Sequence, residues 1–124
     1  MSKSLTPATH IQAASEAVRQ HNHAAMASGY GSTPEVSRSA VAMVEMFARA
    51  QQAIDHMGDR VRQDLAAGRL APDDGTPPEE HGYGADLALL DAGVALAALL
   101  GYLQEASGHL WHLGMVYEPE ETEA

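Results

Sequence analysis

Asp86 to Tyr117, DLALLDAGVALAALLGYLQEASGHLWHLGMVY, is the stretch whose periodicity decides the fold. Leu89, Ala92, Leu96, Leu99, Leu103, Ala106, Leu110, Leu113 and Tyr117 recur in alternating steps of three and four, the spacing of one apolar helical seam. Leu90, Val94, Ala97, Gly101, Gln104, Gly108, Trp111 and Met115 repeat the rhythm on the neighbouring face, interrupted only by Gln104. A helix wetted on one side needs one stripe, so two stripes predict a helix packed against protein in two directions. Asp91, Glu105 and His112 fall on a third, polar line.

Outward from that rod, the remaining chain predicts two more helices and an all-α fold. Thr33-Pro34-Glu35 opens a long helix over residues 34–67, with an acid at the positive end of its dipole. Its predicted stripe is Val36, Ala40, Met43, Phe47, Ala50, Ile54, Met57 and Val61, closed near Leu65 with Gly68 as terminator. Thr6 and Pro7 open a first helix over residues 7–28, closed by the turn Gly29-Tyr30-Gly31-Ser32. Its apolar face, Ile11, Ala14, Val18 and Ala25, is thin, and His21 occupies a position where an apolar residue would be expected. The third helix is predicted over residues 86–117, after a connector at 68–84 rich in Pro, Gly and acids and before an acidic tail at 118–124. The connector reads as a charged soluble loop; the sharper alternative is a partner-binding segment at Pro77–Tyr83.

The expected architecture is one domain, residues 1–124: a shorter N-terminal helix lying across part of a long antiparallel helical hairpin, three-helix bundle-like and completed by dimerisation. Helix one is too short to cover the second seam. Leu90, Val94, Ala97, Gly101, Gly108, Trp111 and Met115 are therefore the candidate residues of a self or partner interface.

Composition narrows function. With a formal charge of −10 and only seven Lys and Arg among 124 residues, the chain lacks the clustered cations that nucleic-acid binding requires. The start Met1-Ser2-Lys3 is not followed by a secretory signal, and the charge-free run Ala92–Gln104 is shorter than the ~20 residues of a bilayer span. With no cysteine in the chain, disulfides and thiolate chemistry are excluded; a cytoplasmic protein is expected.

Seven histidines are the compositional oddity, and protonating all of them would move the formal charge from −10 to −3, a route to pH-responsive association. Glu105, His109 and His112, four and three residues apart, bring a carboxylate and two imidazoles to one side of a helix, a spacing that suits zinc or another divalent metal. Histidine-rich helices produce such triplets readily, and histidines at interfaces or facing water are the bland alternative. His21 and His23 point in different directions, and His10, His56 and His81 stand alone. Ser107-Gly108-His109 lies in a predicted helix with no strained elbow, and no phosphate-cradling glycine pattern or magnesium-binding acid pairs occur, so no catalytic residues are expected.

The Trp-x-Gly helical hairpins have a comparable length, but they carry their motif in the interhelical turn, whereas Trp111 here lies near the end of the last helix. The run His21-Asn22-His23-Ala24-Ala25, then Gly29-Tyr30-Gly31-Ser32-Thr33-Pro34-Glu35-Val36, resembles the histidine-rich first helix and glycine turn of small helical accessory proteins from actinomycete integrative and conjugative elements. That group has no assigned activity. The resemblance implies a cytoplasmic accessory protein and transfers no functional residues. The leading expectation is thus a non-enzymatic homo-oligomeric interaction module without a cofactor; the alternatives are a metal-binding protein using Glu105, His109 and His112, and an acidic adaptor or inhibitor of a basic partner.

Overall fold

The computed structural model of the chain describes residues 5–116; the acidic tail at 118–124 and Tyr117 lie outside them. Three helices follow in order, α1 (Pro7–Ser28), α2 (Thr33–Ala66) and α3 (Pro78–Trp111), with no strand among the described residues. The Thr6 hydroxyl caps α1 by accepting from the Thr9 amide at 3.3 Å. At the start of α2, Ser32 accepts from the Glu35 amide while the Glu35 carboxylate accepts from the Gly31 amide at 2.8 Å. This reciprocal pair is close to a capping box. Gly29 and Gly68, with φ of 66° and 68°, close α1 and α2 in the left-handed region that side chains avoid.

Two boundaries depart from expectation. α3 starts at Pro78, so the connector is residues 67–77 and the segment Pro78–Gly84 is helical. Pro78 takes a first-turn position where its missing amide costs nothing, and Glu79 and Glu80 meet the positive end of the helix dipole. Gly82, a poor helix former in isolation, is buried under Leu65: a Cβ there would lie 2.9 Å from Leu65 Cδ1. At the other end α3 stops at Trp111 with His112 as C-cap, so Leu113 and Met115 leave the helical seams.

α2 and α3, each about 50 Å long at the usual rise, pack along one another, and α1 packs on neither. The sequence expectation that the first helix lies across α3 is therefore corrected: α3 is held from one side only. Leu65 over Gly82 and the ion pair of Arg62 with Asp86 set an antiparallel register. Continued at equal rise, that register puts Ile54 level with Gly93, Phe47 with Leu100, Val44 with Leu103 and Ser37 with Leu110.

The contact stripe differs from the predicted one by half. Positions 40, 47, 54 and 61 of α2 and 89, 96, 103 and 110 of α3 are in the seam as expected. Between them the structure uses Val44, Gln51, Gly58 and Leu65 rather than Met43 and Met57, with Ala50 half-buried beside Gln51, and Gly93, Leu100 and Ser107 rather than Ala92, Leu99 and Ala106. Hydropathy favours the rejected set. Shape favours the chosen one, because small residues on one helix receive large ones from the other, as Gly82 receives Leu65 and Gly58 lines a pocket with Leu89. The most buried positions are accordingly small, Ser37, Ala40, Gly58 and Gly82, and no large side chain is fully buried among the described residues.

Gly93 is the loose point of this seam, since a Cβ built there meets nothing within 4 Å. Gly93→Ala is expected to stabilise the hairpin by about 1 kcal/mol through helix propensity. Thermal denaturation checks it; a lowered midpoint would mean that Ile54 already fills the space.

Candidate interaction surfaces

The antiparallel arrangement gives the hairpin two broad sides, and their chemistry differs. On the first, α2 contributes Met43, Met46, Ala50, Ala53 and Met57, and α3 contributes Ala88, Ala92, Ala95, Leu99, Tyr102 and Ala106 by the same helical phase that pairs Val61 with Ala85 around one pocket. Between Val36 and Met57 on α2, and between Ala85 and Ala106 on α3, this side carries no charged residue; Arg60, seven residues after Ala53, is its first cation and pairs with Asp64. Met57 is 49% exposed, Leu99 41% and Tyr102 72%. These include the residues that hydropathy alone assigned to the inner seam, displaced outward by one position.

The second side carries the candidate interface residues. Leu90, Val94, Ala97, Gly101, Gly108 and Trp111 form one stripe along α3, all exposed, with Val94 at 73% and Trp111 at 77%. At Gly101 and Gly108 an added Cβ would meet nothing within 4 Å. Met115 is exposed but lies past the helix end, off the stripe. The α2 edge of this side is polar and of mixed charge: Arg38, Glu45, Gln52, Asp55 and Asp59, with Glu45 paired to Arg49 and Arg62 bound to both Asp59 and Asp86. A shallow pocket at one end of the stripe is lined by Ile54, Asp55, Gly58, Leu89 and Leu90 among others, which confirms that Asp55 and Leu90 share a side.

Glu105, His109 and His112 are exposed, His112 caps the helix rather than continuing it, and among the described residues no three His, Asp or Glu side chains gather as a metal-binding group. His21 donates to or accepts from the Tyr30 hydroxyl, a contact within the turn after α1.

The connector is tied to α3 by a small polar clasp. Asp74 accepts from the Thr76 hydroxyl at 2.7 Å, the Thr76 amide at 3.1 Å and the His81 ring at 2.5 Å. The Thr76 hydroxyl, then His81, hold the Asp74 carboxyl well below the usual carboxylate range, and Asp74 in turn raises His81. A raised histidine contributes stability that is fully present below its ordinary pKa of about 6.5 and is lost as pH rises through the raised value. The lowered Asp74 contributes stability present above ordinary carboxylate values and lost as pH falls through its own. The clasp is thus strongest between the two. By NMR, His81 is expected to titrate above an ordinary histidine, and Asp74→Asn to return it to normal; an unchanged midpoint in that variant would dissolve the clasp.

By length and composition α3 also meets the requirement for a bilayer span, one 18-residue window reaching a mean hydropathy of 1.7 with 6% of it buried. Its hairpin partner α2 carries Glu35, Glu45, Arg49, Asp55, Asp59 and Arg62 along the same length, so the packed pair cannot enter a bilayer without burying those charges.

No protein-family model, curated protein or solved structure matches the chain. What the fold and surfaces define is a class: a long two-helix hairpin, preceded by a separate helix, with apolar surface on both of its broad sides.

Proposed function

We propose that this chain is a non-enzymatic, homo-oligomeric helical module of the cytoplasm whose work is binding protein, its own copies first. The observation that carries this is the apolar side of the hairpin, where Met43 and Met57 of α2 lie beside Leu99 and Tyr102 of α3 in the open. Contiguous apolar surface of this kind is characteristic of interfaces. A second hairpin laid on the methionine side would complete a four-helix core, with helix-packing rules satisfied by alanines and methionines that meet closely and adapt in shape.

Light scattering on the purified chain is the test. A mass of twice 13.1 kDa or a higher multiple is expected at micromolar concentration. A homogeneous 13.1 kDa species would overturn the proposal.

A further inference from the structure

The sequence of α3 offers two places at which a helix can begin. The structure uses the first: Pro78 takes the opening position with Glu79 and Glu80 in the first turn, yet Pro77, at the N-cap, supplies no side-chain hydrogen bond. The second is Asp86, among the best N-cap residue types. Between the two lie Gly82 and Gly84, both poor helix formers. At Gly84 an added Cβ would meet nothing within 4 Å, so no packing offsets that glycine. These first turns are held by Leu65 against Gly82 and by the clasp of Asp74, Thr76 and His81. From Asp86 onward the grip is firmer, through Arg62 on Asp86 and the seam that continues at Leu89.

We propose that α3 has two alternative starts, Pro78 and Asp86, and that the charged His81 ring, held by Asp74, selects the longer helix. His81 borders a shallow apolar pocket with Val61 of α2, Leu70 and Pro72 of the connector and Ala85 of α3, and no other residue lining it titrates. The charges that govern the ring are therefore Asp74 across from it and Glu80 beside it, and both favour the imidazolium. The helix dipole opposes a cation in this turn, but Asp74, in direct contact, outweighs it. Once the ring is neutral, Asp74 keeps the Thr76 amide and hydroxyl, so the connector retains its turn while its hold on the helix is lost. Residues 78–85 then unwind. Asp86 caps the shorter helix with the carboxylate oxygen that Arg62 leaves free, and Leu65 opens to water. That shorter helix is the one the sequence pattern predicts, with 68–84 as its connector. The switch sits at the connector end of the hairpin and does not depend on association between copies.

Amide hydrogen exchange on the full chain, read as protection relative to the unstructured rate at each pH, tests this. The amides of Tyr83, Gly84 and Ala85 have helical acceptors only when α3 starts at Pro78. Their protection is expected to fall about threefold as pH rises through the His81 titration, the scale of one exposed ion pair, while amides beyond Ala92 keep theirs. His81→Gln and Asp74→Asn should each hold the low value on both sides of that titration. Gly84→Ala, which adds helix propensity where a methyl has room, should restore protection in the His81→Gln chain. Protection that ignores the His81 titration, or follows it equally in Asp74→Asn, overturns the proposal. So does a parallel loss beyond Ala92, which would mean that the whole hairpin opens and that Asp86 is no second start.

Discussion

Leu100→Asp is expected to destroy the hairpin, while Leu99→Asp, one residue earlier, leaves it folded. Leu100 lies in the seam at the level of Phe47, half-buried. Truncating it to alanine would cost about 2 kcal/mol, the low end for leucine because burial is partial. A carboxylate there adds the penalty of an unpaired charge facing Phe47, about 1–3 kcal/mol or more. Small domains hold only about 5–15 kcal/mol in total, and a two-helix seam with no fully buried large side chain sits at the bottom of that range. The measurement is circular dichroism through a thermal ramp: a cooperative transition for the wild type and for Leu99→Asp, and a shallow, non-cooperative loss for Leu100→Asp. If the two variants melt alike, the seam runs through Leu99 as hydropathy suggests, and the shape argument fails.

Leu99→Glu combined with Met43→Glu should turn the assembly into monomers, the second large effect. Both side chains stand on the methionine side, Leu99 41% and Met43 40% exposed, so neither substitution costs the hairpin much by itself. Across a twofold interface each charge appears twice and is desolvated in an apolar setting, where the cation Arg60 is already held by Asp64. The wild-type mass should therefore fall to 13.1 kDa in the double variant with helix content retained. An associated double variant would show that copies meet elsewhere, and Val94→Glu would then be the substitution that separates them.

Part of this was legible in the residues. Thr6-Pro7 with Gly29, and Ser32-Thr33-Pro34-Glu35 with Gly68, mark helix ends by local chemistry, and α1 and α2 lie where those signals put them. Half of each seam, Ala40, Phe47, Ile54 and Val61 against Leu89, Leu96, Leu103 and Leu110, follows from periodicity alone. The start of α3 did not follow. Gly82 and Gly84 read as loop because glycine disfavours helix, and only the Leu65 side chain across the hairpin explains why a glycine is wanted there. The interface candidates were legible as an apolar stripe, but the charged edge beside it was not, since Arg38, Glu45, Asp55, Asp59 and Arg62 belong to a different helix and come alongside through the antiparallel register.

The amino-acid sequence by itself determined that this chain is helical, where its first two helices begin and end, and that its last helix carries two adjacent apolar stripes. Those are properties of neighbours along the chain: caps, dipoles and a repeat of three and four. Only the tertiary structure decided which of two adjacent stripes becomes the seam, that α1 stays apart, and that the two sides of the hairpin differ, one mostly methionine and alanine and one bordered by a mixed row of charges. Periodicity counts apolar residues but is blind to their volume, and packing two helices is a matter of volume: a glycine opposite a leucine outweighs a methionine opposite nothing.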